Sequence, residues 1–465
     1  MAIATVNPAT GETLKTFDAL NAGEIEDRLV RADLAFQEHR STTFARRAEL
    51  LHTAADLLEA DRDGIARTMT TEMGKPLAQA RAEAAKCVKT MRWYADHAEE
   101  LLADEHPDPA DVSDSGAIRA VVRYRPIGTV LAVMPWNFPL WQVVRFAAPA
   151  LMAGNTGLLK HASNVPQTAL YLEELFRRAG YPEGCFQTLL VGAAAVEEIL
   201  RDPRIAAATL TGSEPAGRSV AAIAGDEVKK TVLELGGSDP YLVLPSADLD
   251  KAVRVAITAR VQNNGQSCIA AKRFIVHQDI HDAFCERFTA RMAALTVGDP
   301  MDEHTDIGPL ASEQGRSDLE ELVDDAVHQG ARALCGGRRP PGQRAGWFYE
   351  PTVLTGVTPS MRIHREEAFG PVAALYRVAD LDEAIALAND TPFGLGSNAW
   401  TRDAGEQARL ARDIQAGGVF FNGMTASHPG LPFGGAKRSG YGRELSGHGI
   451  REFCNITTLW YGPED

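Results

Sequence analysis

The chain has 465 residues, room for about two to four domains, and its 45% apolar and 23% charged residues are the balance of a folded globular protein. Lys and Arg number 47 against 62 Asp and Glu, and the resulting formal charge of -15 disfavours nucleic acid or an anionic membrane as partner. Six scattered cysteines (Cys87, Cys185, Cys268, Cys285, Cys335, Cys454) form no CxxC pair, which fits a reducing compartment rather than a disulfide framework.

The first residues, Met1 to Pro8, have neither a basic nor an apolar leader pattern, so a cytoplasmic protein without signal peptide is expected. Residues 7 to 17 suggest a hairpin around Ala9-Thr10-Gly11. Apolar residues at three- and four-residue spacing predict helices over Ala22–His39, Phe44–Asp61 and Lys75–Leu102, with their charged faces in solvent. A Pro, Asp and Ser-rich linker follows from His106 to Ser115, then an alternating strand from Ala117 to Tyr124. The apolar stretch Gly128 to Gly154 is broken by Pro135, Asn137, Pro139, Gln142, Arg145 and Pro149 and reads as core, not a membrane span.

From Val130 to Gly236 strands and helices alternate. Strands are expected at Val130–Val133, Gly157–Lys160, Phe186–Val191, Ala206–Leu210 and Thr231–Leu235, with helices at 140–152, 166–179, 194–200 and 215–224. Such alternation implies parallel strands with right-handed crossovers, a doubly wound sheet that binds nucleotides at its carboxyl edge. A second alternating block runs from Asp248 to about Gly418, with helices near 248–261, 280–294, 315–329, 380–389 and 403–415.

Within the first block, Thr209-Leu210-Thr211-Gly212-Ser213-Glu214-Pro215-Ala216-Gly217 is a strand, a glycine turn and a helix start, where free backbone N–H groups suit a pyrophosphate. The usual G-x-G-x-x-G is absent, so an ordinary tight turn capped by Ser213 stays open. Lys160 ends a predicted strand, where ribose or phosphate could be met. In the second block, Gln262-Asn263-Asn264-Gly265-Gln266-Ser267-Cys268 is a polar run into a cysteine, followed after Ile269-Ala270-Ala271 by Lys272 and Arg273. A thiol after such a run is expected to be reachable, and nearby positive charge favours the nucleophilic thiolate. A small buried hydrophobe is the competing reading of Cys268.

Six motifs in order, Met134-Pro135-Trp136-Asn137-Phe138-Pro139, Thr211-Gly212-Ser213, Leu233-Glu234-Leu235-Gly236-Gly237, Gly265-Gln266-Ser267-Cys268, Glu366-Glu367-Ala368-Phe369-Gly370-Pro371 and Pro432-Phe433-Gly434-Gly435, resemble the aldehyde dehydrogenase superfamily over essentially the whole chain. Trp141-Gln142-Val143-Val144-Arg145 and Lys160-His161-Ala162-Ser163 look most like its bacterial succinate-semialdehyde dehydrogenases. The resemblance implies an α/β fold with two doubly wound parallel-sheet domains and a small β oligomerisation arm. Residues 1–115 and 126–236 would hold the cofactor, 237–430 would form the catalytic domain, and 116–125 with 446–465 the arm of a homodimer or homotetramer.

It further implies that Cys268 attacks the aldehyde, that the Asn137 amide and the Cys268 N–H hold the oxyanion, and that Glu234 activates water against the thioester. Trp136, Lys160, Ser163, Gly212, Ser213, Gly217, Leu235, Glu367 and Phe369 would bind the cofactor. Ser163 stands where many NAD-preferring relatives carry glutamate, so NADP is expected to be preferred over NAD. Arg145, Ser427 and Phe433 would meet the substrate, Arg145 clamping a distal carboxylate. A structural ion pair is the alternative for Arg145, and Gln262 departs from relatives that have a second arginine there. No metal is expected. The expected reaction is oxidation of succinic semialdehyde. Glutaric semialdehyde or a simple aliphatic aldehyde is the enzymatic alternative, and an inactive scaffold the non-enzymatic one.

Overall fold

The computed structural model describes residues 2–342 and 345–463; Met1 and the last two residues of the expected arm, 464–465, lie outside this range. Two sheets dominate. One has six strands in the order Gly440–Tyr441, Lys230–Glu234, Ile205–Thr211, Thr129–Met134, Thr156–His161 and Phe186–Thr188. All its pairings are parallel except that of Gly440–Tyr441 with Lys230–Glu234. The other has seven strands in the order Arg332–Cys335, Thr352–Thr355, Val372–Val378, Ala271–His277, Asp239–Val243, Asn398–Trp400 and Phe420–Phe421, with only the Arg332–Cys335 edge antiparallel.

The alternation of the sequence explains both sheets. Val130, Leu131 and Ala132 are buried on both faces, as are Tyr241, Leu242 and Val243. Strands apolar on both sides need a helical layer on each face, and parallel crossovers supply it. Helices form at Trp141–Ala153, Pro166–Arg178, Ala195–Arg201 and Glu214–Asp226, all within two residues of their expected ends. The strand expected at Phe186–Val191 stops at Thr188.

The N-terminal region departs further from expectation. The hairpin pairs Ile3–Val6 with Thr13–Phe17, so its first strand precedes the anticipated range. A helix at Arg62–Met73 went unread because its buried face contains Thr70 and Glu72 besides Ile65, Ala66 and Met69, which blurs the apolar period. The third expected helix spans Leu77–Leu101. Its charged residues are not all solvated: Glu83 is 5% exposed, and Lys75, just before the helix, is 0% exposed.

Strands Arg119–Pro126 and Cys454–Tyr461 pair antiparallel over their full lengths in a separate two-stranded sheet. Ile456 and Trp460 are exposed on it. No helix among the described residues is long and apolar enough to cross a membrane.

Candidate active site

The cysteine loop is built by a backbone conformation few residues accept. Asn263, Asn264 and Gly265 have φ of 57°, 58° and 75°, the left-handed region that asparagine and glycine tolerate best. A Cβ on Gly265 would lie 2.3 Å from the Gly370 carbonyl oxygen, so the Gly-Gln-Ser-Cys and Phe-Gly-Pro motifs touch backbone to backbone. Polarity here marks hydrogen bonding and not exposure, contrary to the simplest reading of the sequence. Asn263, Asn264, Gln266 and Ser267 are all buried. The Asn264 amide donates to the Gly74 and Pro309 carbonyls, and its oxygen accepts from the Gly308 N–H. A loop held this way presents its cysteine in one orientation.

Cys268 is half-buried and opens into a cavity of about 640 Å³. Burial pushes its thiol up to about 12, against the pull of Arg145 and Lys272. The Lys272 ammonium donates to the Ser267 and Cys268 carbonyls at 2.9 and 2.8 Å and pairs with Glu367 at 2.9 Å. Glu367 in turn accepts from the Gly237 N–H at 3.2 Å. One buried lysine therefore ties the cysteine loop to the glutamate of the Glu-Ala-Phe-Gly-Pro motif.

Asn137 reaches the same loop. Its amide donates to the Gln266 carbonyl at 3.1 Å, and its own carbonyl accepts from the Asn263 amide at 2.7 Å. Glu83 accepts from the N–H groups of Leu140 and Trp141, both at 2.9 Å, at the start of the helix Trp141–Ala153, and is ion-paired with Lys75. A carboxylate is favoured at a helix N-terminus, so Glu83 anchors the turn that presents Asn137. Sequence reading missed Glu83 and Lys75 because their helical period places them among ordinary surface charges.

Glu234 ends the strand Lys230–Glu234 at 2% exposure, and neither carboxylate oxygen has a hydrogen-bond partner among the described residues. Desolvation raises its carboxyl well above the usual range, Arg145 and Arg443 oppose, and Glu444 adds to the rise. A proton acceptor near neutrality needs such a rise. Gly434 leaves the space: a Cβ there would stand 2.9 Å from Glu234 Oε1. The motif glycine Gly237 likewise lets the Cys268 carbonyl approach, 2.6 Å from where its Cβ would be.

Arg145, Ser427 and Phe433 line the cavity with Cys268. Arg145 lies 4.7 Å over the Phe433 ring, donates to Thr211 Oγ1 at 3.3 Å, and is ion-paired with Glu444. That is the structural pair left open by the sequence. Glu444 itself had no motif to announce it.

On the carboxyl edge of the six-stranded sheet, Lys160 is half-buried, and its ammonium is lowered by desolvation with no charged neighbour contributing. Ser163, three residues on, is half-buried as well. Ser213 is the N-cap of Glu214–Asp226, its side chain free of any capping bond, and Gly217 packs so closely that a Cβ would meet Leu235 at 2.6 Å. Trp136 and Phe369 meet edge to face at 5.8 Å. A cation with no ion pair among the described residues, a small neutral side chain three residues on and an open helix start suit a dinucleotide with an additional phosphate. Among the described residues no group of three His, Cys, Asp or Glu could hold a metal ion.

A profile of the aldehyde dehydrogenase family matches residues 1–459. The chain is 65% identical to "Succinate-semialdehyde dehydrogenase [NADP(+)] 1" of Mycobacterium ulcerans (strain Agy99) over 463 residues, 99% of this chain and 100% of the relative. It is 65% identical over 460 residues to the protein of the same name in Mycobacterium tuberculosis (strain ATCC 25618 / H37Rv), again 99% of this chain and 100% of the relative. Succinic semialdehyde dehydrogenase from Streptococcus pyogenes, solved with NADP+, superposes with a TM-score of 0.95 at 38% identity, covering 99% of this chain and 100% of that one. Matched along almost its entire length, the chain belongs to the aldehyde dehydrogenase family.

Proposed function

We propose that the protein oxidises succinic semialdehyde to succinate with NADP as preferred cofactor and NAD as the second. The observation that carries the chemistry is a buried carboxylate without hydrogen-bond partners, Glu234, packed near the cysteine that opens into the cavity. The substrate follows from full-length relatives at 65% identity that bear this activity in their names.

Cys268, as thiolate, adds to the aldehyde carbon, and the carbonyl electrons move to oxygen. The Asn137 amide and the Cys268 N–H hold that oxyanion; losing one such donor typically costs about 100- to 1,000-fold in rate. A nicotinamide held there would supply the hydride acceptor needed to oxidise the adduct to the cysteine thioester. Glu234 then removes a proton from water as the water oxygen attacks the thioester carbon, and Cys268 leaves with its electron pair. Lys272 keeps the nucleophile loop and Glu367 in register throughout.

Trp136, Lys160, Ser163, Gly212, Ser213, Gly217, Leu235, Glu367 and Phe369 would hold the cofactor, Lys160 and Ser163 on the side of the extra phosphate. The segments 1–115 and 126–236 serve the cofactor, and 237–430 carries the nucleophile. Arg145, Ser427 and Phe433 form the substrate wall. The paired strands Arg119–Pro126 and Cys454–Tyr461, with apolar side chains exposed, join subunits into a homodimer or homotetramer. The enzyme works in the cytoplasm.

The deciding experiment measures kcat/KM for succinic semialdehyde, glutaric semialdehyde and butanal with each nicotinamide cofactor. Succinic semialdehyde with NADP should lead; no preference for a carboxylate-bearing aldehyde would refute the substrate.

A further inference from the structure

The strand Thr156–His161 ends beside the turn that carries Asn137, and in its pairing with Thr129–Met134 the residue opposite Met134 is His161. The His161 ring is buried and reaches across that turn. Its Nε2 lies 2.9 Å from the Pro139 carbonyl oxygen, and its Nδ1 accepts from the Ala162 N–H at 3.0 Å. Acceptance at Nδ1 leaves the ring proton on Nε2, which donates it to Pro139. The Met134 carbonyl, 3.3 Å from Nδ1, is then a contact without a hydrogen bond. Around Pro139 the helical ladder has already begun: the Gln142 N–H donates to Phe138 at 3.0 Å and the Val144 N–H to Leu140 at 2.9 Å. The imidazole takes the carbonyl between them.

We propose that His161 is a positioning residue for Asn137: its ring straps the far end of the turn 134–139 to the carboxyl edge of the six-stranded sheet and so fixes where the Asn137 amide stands. The assignment rests on the reading of Asn137 as oxyanion donor and deepens it. Glu83 holds the helix start at Leu140 and Trp141, and the Asn263 amide holds the Asn137 carbonyl. Pro139 lies between these two anchors, and His161 supplies the third. An oxyanion donor works only when aimed at the place where charge develops, and a displacement of about 1 Å can cost about 100-fold in rate.

The protonation state suits the strap. Burial lowers the ring to about 4, with Lys160 acting in the same direction and the Pro139 and Met134 carbonyls opposing. The ring is therefore neutral near pH 7 and offers one N–H.

Asparagine and glutamine separate the two ring nitrogens. The asparagine oxygen stands near the place of Nδ1 and can still accept from Ala162, whereas the glutamine nitrogen stands near that of Nε2 and can still donate to Pro139. The test measures kcat on succinic semialdehyde and on butanal, with NADP, for His161→Asn, His161→Gln, Asn137→Ala and the double variant His161→Asn with Asn137→Ala. His161→Asn should lower kcat about 10- to 100-fold on both aldehydes while the Kd of NADP, read by calorimetry, stays within about threefold of the parent. His161→Gln should keep kcat within about fivefold of the parent. In the Asn137→Ala background His161→Asn should cost less than about twofold more, because the group it positions is gone.

The assignment is overturned by a kcat in His161→Asn within about threefold of the parent, by a loss confined to NADP binding, or by an undiminished loss in the Asn137→Ala background. Where His161→Asn does not fold, His161→Gln decides, and a kcat more than about tenfold below the parent sinks the strap. Failure of the oxyanion reading is distinguishable, because Asn137→Ala would then turn over like the parent. A slow Asn137→Ala beside an unaffected His161→Asn would strike the role of His161 alone.

Discussion

Arg145 and Glu444 form an ion pair sealed from solvent, their side chains 2% and 6% exposed, and the pair sits within electrostatic reach of Glu234. Glu444 adds to the rise of the Glu234 carboxyl that burial begins, whereas Arg145 opposes it. The pair thus tunes the Glu234 carboxyl.

Glu444→Gln should therefore lower the Glu234 carboxyl, because a negative neighbour is removed and Arg145 is left unbalanced. The ionised base would persist to lower pH, and the acid limb of kcat should move down the pH scale when thioester hydrolysis limits turnover. Breaking a buried pair should also cost about 3 kcal/mol of stability, read by denaturant unfolding. An unmoved acid limb would separate Glu444 from the base.

Glu234→Gln keeps the shape of the side chain and removes the proton acceptor. Steady-state kcat should fall about 100- to 10,000-fold, while rapid mixing still shows a burst of reduced cofactor approaching one per active site. Loss of the burst together with turnover would place Glu234 before thioester formation.

Desolvation raises Cys268 to about 12 in the cofactor-free protein, and Arg145 and Lys272 lower it. A raised thiol is mostly protonated at neutral pH, so alkylation by iodoacetamide should be slow and should quicken about tenfold per pH unit to at least about pH 10. Lys272→Met removes a cation that favours the thiolate and frees the Ser267 and Cys268 carbonyls, so alkylation should slow further. Mass spectrometry of the peptide carrying Cys268 reads both.

Ser163→Glu places a carboxylate near Lys160 at the edge of the six-stranded sheet. Repulsion of a 2'-phosphate should lower kcat/KM for NADP about 10- to 100-fold and leave NAD favoured. Unchanged cofactor ratios would remove Ser163 from the phosphate site.

Much of this was legible in the linear order of residues. Alternating apolar runs such as Val130–Val133 require burial on both faces, and that periodicity is local, so both doubly wound blocks could be anticipated. The polar run before Cys268 was legible as unusual and misleading as to exposure. Asn263 and Asn264 serve left-handed turns and buried carbonyls, and the partners Gly74 and Pro309 are remote in sequence.

By itself the sequence determined the alternating sheets and the family, because apolar periodicity and spaced motifs are written in the linear order of residues; the roles expected of Cys268, Asn137 and Glu234 came with that resemblance. Only the tertiary structure decided which charges are free. Lys86 and Glu83 share one helix, and nothing in its period tells a solvated ammonium from one facing a cavity or a carboxylate capping another helix. Glu444 neutralises Arg145 across about 300 residues of chain, and electrostatic compensation depends on distance in space.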